Sequence, residues 1–190
     1  MSRHENVMVV ETEVLRGRYC LSRGLNLIGD DIFEFLLRNY RFMPRERAEN
    51  DPGFKQIIPY VTVRHGSLWL LFRRKTTQTE TRLHNMYSLG LGGHINDECR
   101  DSPNPIISGL YRELGEEIAL TGHSAPRYLG VINDDETEVG KVHLGLLFEL
   151  YAASTDFILP EAHKMSARWT DTVDLPQYRQ QMETWSQFLV

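Results

Sequence analysis

Residues 112–117 read Arg-Glu-Leu-Gly-Glu-Glu, and their spacing gathers acid. On a helix turning about 100° per residue, Glu113, Glu116 and Glu117 fall within about 100° of one another. Like charges three or four residues apart cost an isolated helix about 0.2–0.5 kcal/mol per pair. Glutamates near a helix C-terminus also oppose the helix dipole. Arg112, four residues before Glu116, offsets part of this conflict. A solvated acidic face is the ordinary explanation of such a cluster. The chemical explanation is a hard divalent cation, Mg²⁺ or Mn²⁺, which selects carboxylate oxygens.

The helix that must position these acids is readable. Asn104 can cap its start, Pro105 suits its first turn, and Gly122 is a plausible terminator. Ile106, Ile107, Leu110, Leu114 and Ile118 form one apolar stripe, so a helix is expected over 105–120. Upstream, Gln56–Arg64 and Ser67–Arg74 read as strands joined at His65-Gly66, followed by a polar surface loop over 75–85. Tyr87–Leu91 is a short strand running into Gly92-Gly93. Downstream, Arg127–Asn133 and Val142–Leu150 read as paired strands around an acidic loop, Asp134 to Glu138. His163–Trp169 is a further strand, and Gln177–Leu189 a closing amphipathic helix. In the first third, residues 7–15 alternate as a strand, Ile32–Tyr40 has helical spacing after Gly29-Asp30-Asp31, and Arg41–Pro52 reads as a loop. Strands on both sides of one helix indicate a mixed α/β or α+β sandwich. Residues 1–53 are expected to be an N-terminal extension, strand plus helix, packed on a main domain over 54–190.

Composition excludes several classes. The chain has 190 residues, 41% hydrophobic and 25% charged, which is globular. No apolar run approaches the roughly 20 residues needed to span a bilayer, and Val7–Val10 is too short for a signal-peptide core. Two cysteines, Cys20 and Cys99, argue against a disulfide framework or a cysteine-rich zinc site. A cytoplasmic protein is expected. Twenty-one basic against 26 acidic residues give a net charge of −5, which disfavours a nucleic-acid polymer as partner. Small anionic substrates remain open to it.

The segment Gly92-Gly93-His94-Ile95-Asn96-Asp97-Glu98, followed after an excursion by Arg112-Glu113-Leu114-Gly115-Glu116-Glu117, resembles the Nudix box. In family terms that box runs G-x5-E-x7-R-E-U-x-E-E-x-G-U, with U apolar. Arg112, Glu113, Leu114, Glu116 and Glu117 match every specified position of the R-E-U-x-E-E half. Three departures stand out. Counting from Gly93, the family glutamate falls on Cys99, with Glu98 the nearest substitute. The gap from Cys99 to Arg112 is 12 residues, against seven in the pattern, and the glycine after the paired glutamates is Ala119. The resemblance covers about residues 54–170.

What the resemblance implies is an α/β/α sandwich with a mixed sheet, a phosphoesterase or pyrophosphatase cleaving a nucleoside diphosphate linked to another group. Water attacks phosphorus, and Mg²⁺ or Mn²⁺ sits on the box glutamates. Glu116 and Glu117 would be direct ligands, Glu113 a direct or water-mediated one, with the Gly93 carbonyl and Glu98 contributing. Arg112 would orient a glutamate. For a general base outside the box, the acidic loop offers Glu136 and Glu138, and Glu138 is the choice. His94, Arg73 and Arg74 could hold substrate phosphate. His143 reads as a strand residue, while Trp69 and Trp169 read as core. Homodimers are frequent among relatives, and specificity is expected in residues 1–54, 75–86 and 134–141. Two alternatives remain: an isoprenoid-diphosphate isomerase, for which Cys99 lies in the box rather than opposite it, and a non-catalytic nucleotide-sensing domain.

Overall fold

Val7, Met8, Val9 and Val10 have no exposed surface, so this apolar run is an interior strand. The structure, a computed structural model, describes residues 5–75 and 86–190. The elements in chain order are β1 (Asn6–Glu11), α1 (Thr12–Arg18), β2 (Gly24–Asn26), α2 (Asp31–Asn39), β3 (Tyr40–Pro44), α3 (Arg45–Ala48) and β4 (Phe54–His65). There follow β5 (Leu68–Arg74), β6 (Tyr87–Ser88), β7 (Gly90–Gly92), α4 (Pro105–Glu117), β8 (Ala119–Leu120) and β9 (Arg127–Asn133). The chain closes with α5 (Glu138–Lys141), β10 (His143–Tyr151), β11 (Phe157–Ile158), β12 (Met165–Asp171) and α6 (Thr184–Gln187). It divides into two compact units, one of Met1–Tyr60, Gly92–Tyr111 and Tyr128–Leu147, the other of Val61–Leu91, Arg112–Arg127 and Phe148–Val190. The divisions fall inside β4, α4 and β10, whose covalent chains belong to both.

In the first unit β1 lies between β3 and β4, antiparallel to each, with Val9 opposite both Arg41 and Gln56. Val7, Val9, Met43 and Ala48 form a core cluster against which Phe54 packs. β1 also anchors the segment after the glycine loop, because the Met8 N–H donates to the Ile95 carbonyl at 2.8 Å and Asn6 Nδ2 to Asp97 Oδ2 at 2.9 Å. β2 pairs antiparallel with β9, Gly24 opposite Asn133. β10 neighbours β4, and the Gln56 N–H donates to the Val142 carbonyl at 2.8 Å.

In the second unit β5 lies between the end of β4 and β12, antiparallel to both, with Arg73 opposite Ser166 and Arg74 opposite Met165. Gly66 opens the β4–β5 loop at φ +59, the positive φ that a tight two-residue hairpin needs at its first central residue. Leu71, Leu89, Leu175 and Met182 form the core, with Trp69, Tyr87 and Tyr178 packed against it. Here the Ala152 N–H donates to the Arg64 carbonyl at 2.7 Å. The hydrogen bonds of β4 and β10 climb both strands together, which is parallel pairing. With antiparallel neighbours this makes the sheet mixed, and the class is α/β as expected.

Several sequence expectations need correction. The strand expected over 7–15 stops at Glu11, and Thr12–Arg18 is helical, its Thr12 Oγ1 donating to the Pro52 carbonyl at 2.8 Å. The loop expected over 41–52 holds strand β3 and helix α3, with Pro44 ending the strand. The helix carrying the acids ends at Glu117, not 120, so Gly122 does not terminate it. Ala119 is already in a strand, opposite Ile158, which explains why glycine is not required there. The closing segment is a 3-10 run over Thr172–Gln181, interrupted for α-geometry by Pro176, followed by the four-residue α6. Of the loop expected over 75–85, all but Lys75 lies outside the described residues. No helix among the described residues is long and apolar enough to cross a membrane.

Candidate functional site

Helix α4 begins as its sequence dictates. Asn104 Oδ1 accepts from the N–H groups of Ile106 and Ile107 at 3.1 and 3.2 Å, satisfying two donors the helix cannot. Gly109 lets this half approach the strand segment after the glycine loop, since a Cβ there would stand 2.8 Å from Ile95. Leu114 and Ile118 bury the stripe, and the Ile118 N–H closes the last turn onto Leu114. The acidic flank therefore occupies the final turn and a half.

Arg112 forks across two of the three glutamates, its Nη1 donating to Glu116 Oε1 at 2.8 Å and its Nη2 to Glu113 Oε1 at 2.5 Å. Burial alone would lower the guanidinium pKa, but these two carboxylates outweigh it and raise it. Glu117 is treated differently. Its Oε2 is buried and has no hydrogen-bond partner. Burial pushes its carboxyl up to about 7; Arg74 works against that rise, while Glu113, Glu161 and Glu116 add to it. The site that emerges in the second unit is Arg112, Glu113, Glu116 and Glu117 from α4, with Arg74 from β5 and Glu161 from the turn before β12.

Strand parity separates Arg73 from Arg74. Successive residues point to opposite faces, and Arg73 stacks over the Tyr87 ring with 5.5 Å to its centroid, on the side of Leu71. Arg74 thus takes the glutamate side alone. Glu161, which the sequence did not mark, is ion-paired with Lys164.

The remaining expected site residues belong to the first unit. Gly93 and His94 follow β7, and Glu98 is exposed on the 3-10 turn Asp97–Cys99. His94 Nε2 lies 3.3 Å from His143 Nε2. Glu138 is not on a loose loop tip: it opens α5 and accepts from Lys141 Nζ at 2.6 Å, which holds its carboxyl below the usual range. Lys55 fixes that turn from beneath, donating to Asp135 Oδ1 at 2.5 Å and to the Gly140 carbonyl at 2.7 Å. Burial pushes the Lys55 amine down despite Asp135.

Does this donor set suit a divalent cation? Among the described residues, no three His, Cys, Asp or Glu side chains stand together ready to hold one. Arg112 pairs with both Glu113 and Glu116. The orphaned buried oxygen of Glu117, at the negative end of a helix, nevertheless has no hydrogen-bond donor, and Arg74 offsets its burial only in part. Hard oxygen donors in one turn beside that orphan fit Mg²⁺ or Mn²⁺.

The chain is 38% identical over 158 residues to the protein YmaB of Bacillus subtilis strain 168, a match covering 80% of this chain and 77% of the relative. Among solved structures, Tm1382, provisionally assigned as a Nudix hydrolase, superposes with a TM-score of 0.85 at 31% identity, covering 97% of this chain and 96% of that one. The MutT Nudix hydrolase of Burkholderia pseudomallei shares the fold at a TM-score of 0.52 and 19% identity, covering 70% and 93%. So does a bifunctional NMN adenylyltransferase/ADP-ribose pyrophosphatase of Francisella tularensis, solved with AMP and a manganese ion, at 0.54 and 13%, covering 71% and 39%. No family model matches the chain.

Proposed function

The chain belongs to the Nudix hydrolase family, and on that premise we propose that it hydrolyses the phosphoanhydride bond of a nucleoside diphosphate linked to another group, with a divalent cation held by the glutamates of α4. The observation that carries this reading is the buried, unpartnered Oε2 of Glu117 beside three further carboxylates. A fold neighbour solved with AMP and manganese supports both the nucleotide and the ion.

Glu117 and Glu116 would be direct ligands, with Glu113 a further one. Mg²⁺ or Mn²⁺ held there would neutralise phosphoryl charge and lower the pKa of a bound water. Arg112 sets the orientation of Glu113 and Glu116 through its two hydrogen bonds. Arg74 supplies positive charge on the glutamate side of β5, where an anionic diphosphate needs it. The attacking water must give up a proton, and Glu161 is the carboxylate from outside α4 whose charge reaches Glu117. We therefore place the general base at Glu161 rather than at Glu138 on the ground of that coupling to Glu117; each carries a lysine three residues on, Lys164 and Lys141, so the ion pair does not separate them.

The test is a panel of nucleoside-diphosphate compounds with product identification, run with Mg²⁺, with Mn²⁺ and with EDTA. Cleavage at a phosphoanhydride, abolished by EDTA and reduced at least about 100-fold in Glu117→Gln, is expected. Turnover in EDTA, or undiminished turnover in the variant, would remove the cation from the mechanism.

A further inference from the structure

In the first unit two imidazoles meet edge to edge. His94 follows the glycine loop and His143 opens β10. Their Nε2 atoms are 3.3 Å apart, their ring centroids 5.4 Å apart, and their planes inclined by 59°. His143 Nδ1 lies 2.7 Å from the Val139 carbonyl oxygen. A carbonyl can only accept, so that nitrogen carries a proton, and it is Nε2, the lone-pair nitrogen of the neutral form of that tautomer, that faces His94. The 3.3 Å separation is longer than the usual N–H hydrogen bond, which ends at about 3.2 Å. It matches the distance of about 3.3 Å between two nitrogens bound at about 2.0–2.1 Å to one tetrahedral ion. Donation of the other ring N–H to a carbonyl is how metal-binding histidines are held in place.

A second observation comes from β4. In the parallel pairing the Gln56 N–H bonds to the Val142 carbonyl, which sets Gln56 beside His143 on the same face of the sheet. Gln56 is fully buried, and neither its Nε2 nor its Oε1 has a hydrogen-bond partner. Such a carboxamide is destabilising where it is buried unless something meets it. Its oxygen is a neutral donor on a residue in register with His143.

We propose that His94 and His143 are ligands of a second cation site, for an imidazole-preferring transition metal such as Zn²⁺, with the Gln56 carboxamide as third donor and a further position open to water or an anionic oxygen. Nitrogen donors select Zn²⁺ or Co²⁺, whereas the α4 carboxylates suit Mg²⁺. The two donor sets therefore differ in selectivity. Two imidazoles and a carboxamide make three donors, the number that a catalytic zinc site keeps beside an open position, where a closed structural site has four. It stands independently of the hydrolase reading.

Co²⁺ titration of the full, untagged chain tests it, because tetrahedral Co²⁺ absorbs strongly in the visible and octahedral Co²⁺ on carboxylates weakly. One equivalent should produce an intense band that Zn²⁺ displaces. The band should survive Glu117→Gln, and Co²⁺ affinity should fall at least tenfold in both His94→Ala and His143→Asn. His94, on a partly exposed loop, gives a variant that remains readable if His143→Asn misfolds. Absence of the band in the unaltered chain, its persistence in His94→Ala, or its loss in Glu117→Gln would overturn the proposal.

Discussion

One carboxylate oxygen explains more of this site than the three glutamates do as a group. Glu113 and Glu116 share Arg112, whereas Glu117 Oε2 is buried with nothing to receive. The glutamates and Arg112 were legible because they are contiguous along one helix, so a fixed rotation per residue places them. Glu161 was not, because a single acid after Pro160 carries no periodic signal and reaches Glu117 only through the fold. Arg73 and Arg74 looked equivalent in the sequence until strand pairing assigned each a face. The base assignment follows from the same geometry. Glu161→Gln should lower kcat by about 100-fold or more, while Glu138→Gln should stay within about twofold of the unaltered enzyme. Steady-state kinetics at saturating cation decides, and the opposite ranking would return the role to the acidic turn.

At the scale of elements, α4 is specified by its cap and its stripe. Asn104→Ala should cost about 1 kcal/mol in denaturant unfolding without changing the slope, because two N–H groups lose their acceptor. The elements that escaped the sequence share a cause. β3 alternates over only five residues among charges and lies outside β1, so neither a long apolar run nor a β-branched cluster betrays it. The 3-10 run shows no helical stripe, and Pro176 sits within it. β10 is held by a charge network as well as by its ladder: buried Glu149 accepts from Arg127 at 2.8 Å and from Arg64 at 3.2 Å. Burial alone would raise its pKa, but these hydrogen bonds outweigh it and hold the carboxyl below the ordinary range. Its folded pKa is thus below its unfolded value of about 4.3. The stabilisation is present above that unfolded value and is lost as pH falls through the lower folded one. Glu149→Gln should cost about 1–2 kcal/mol at neutral pH and flatten the acid limb of stability against pH, measured by thermal melts from pH 7 downwards. An unchanged acid limb would assign that dependence to other carboxylates.

For the molecule as a whole, the class was legible from strands placed on either side of one amphipathic helix, and the division into two units was not. The divisions cut through β4, α4 and β10, and continuous elements give no sequence mark where contacts change allegiance. Net charge poses the larger question, since a chain at −5 is expected to hold an anionic substrate. Local arginines meet part of that demand, but Arg112 is already engaged by two glutamates. A bound divalent cation meets the rest. Calorimetric titration of Mn²⁺ into the His94→Ala chain, which removes the imidazole site from the signal, reads this directly. Saturable binding that disappears when Glu117→Gln is added is the expected result; no binding, or equal binding with and without the Glu117 carboxylate, would contradict it.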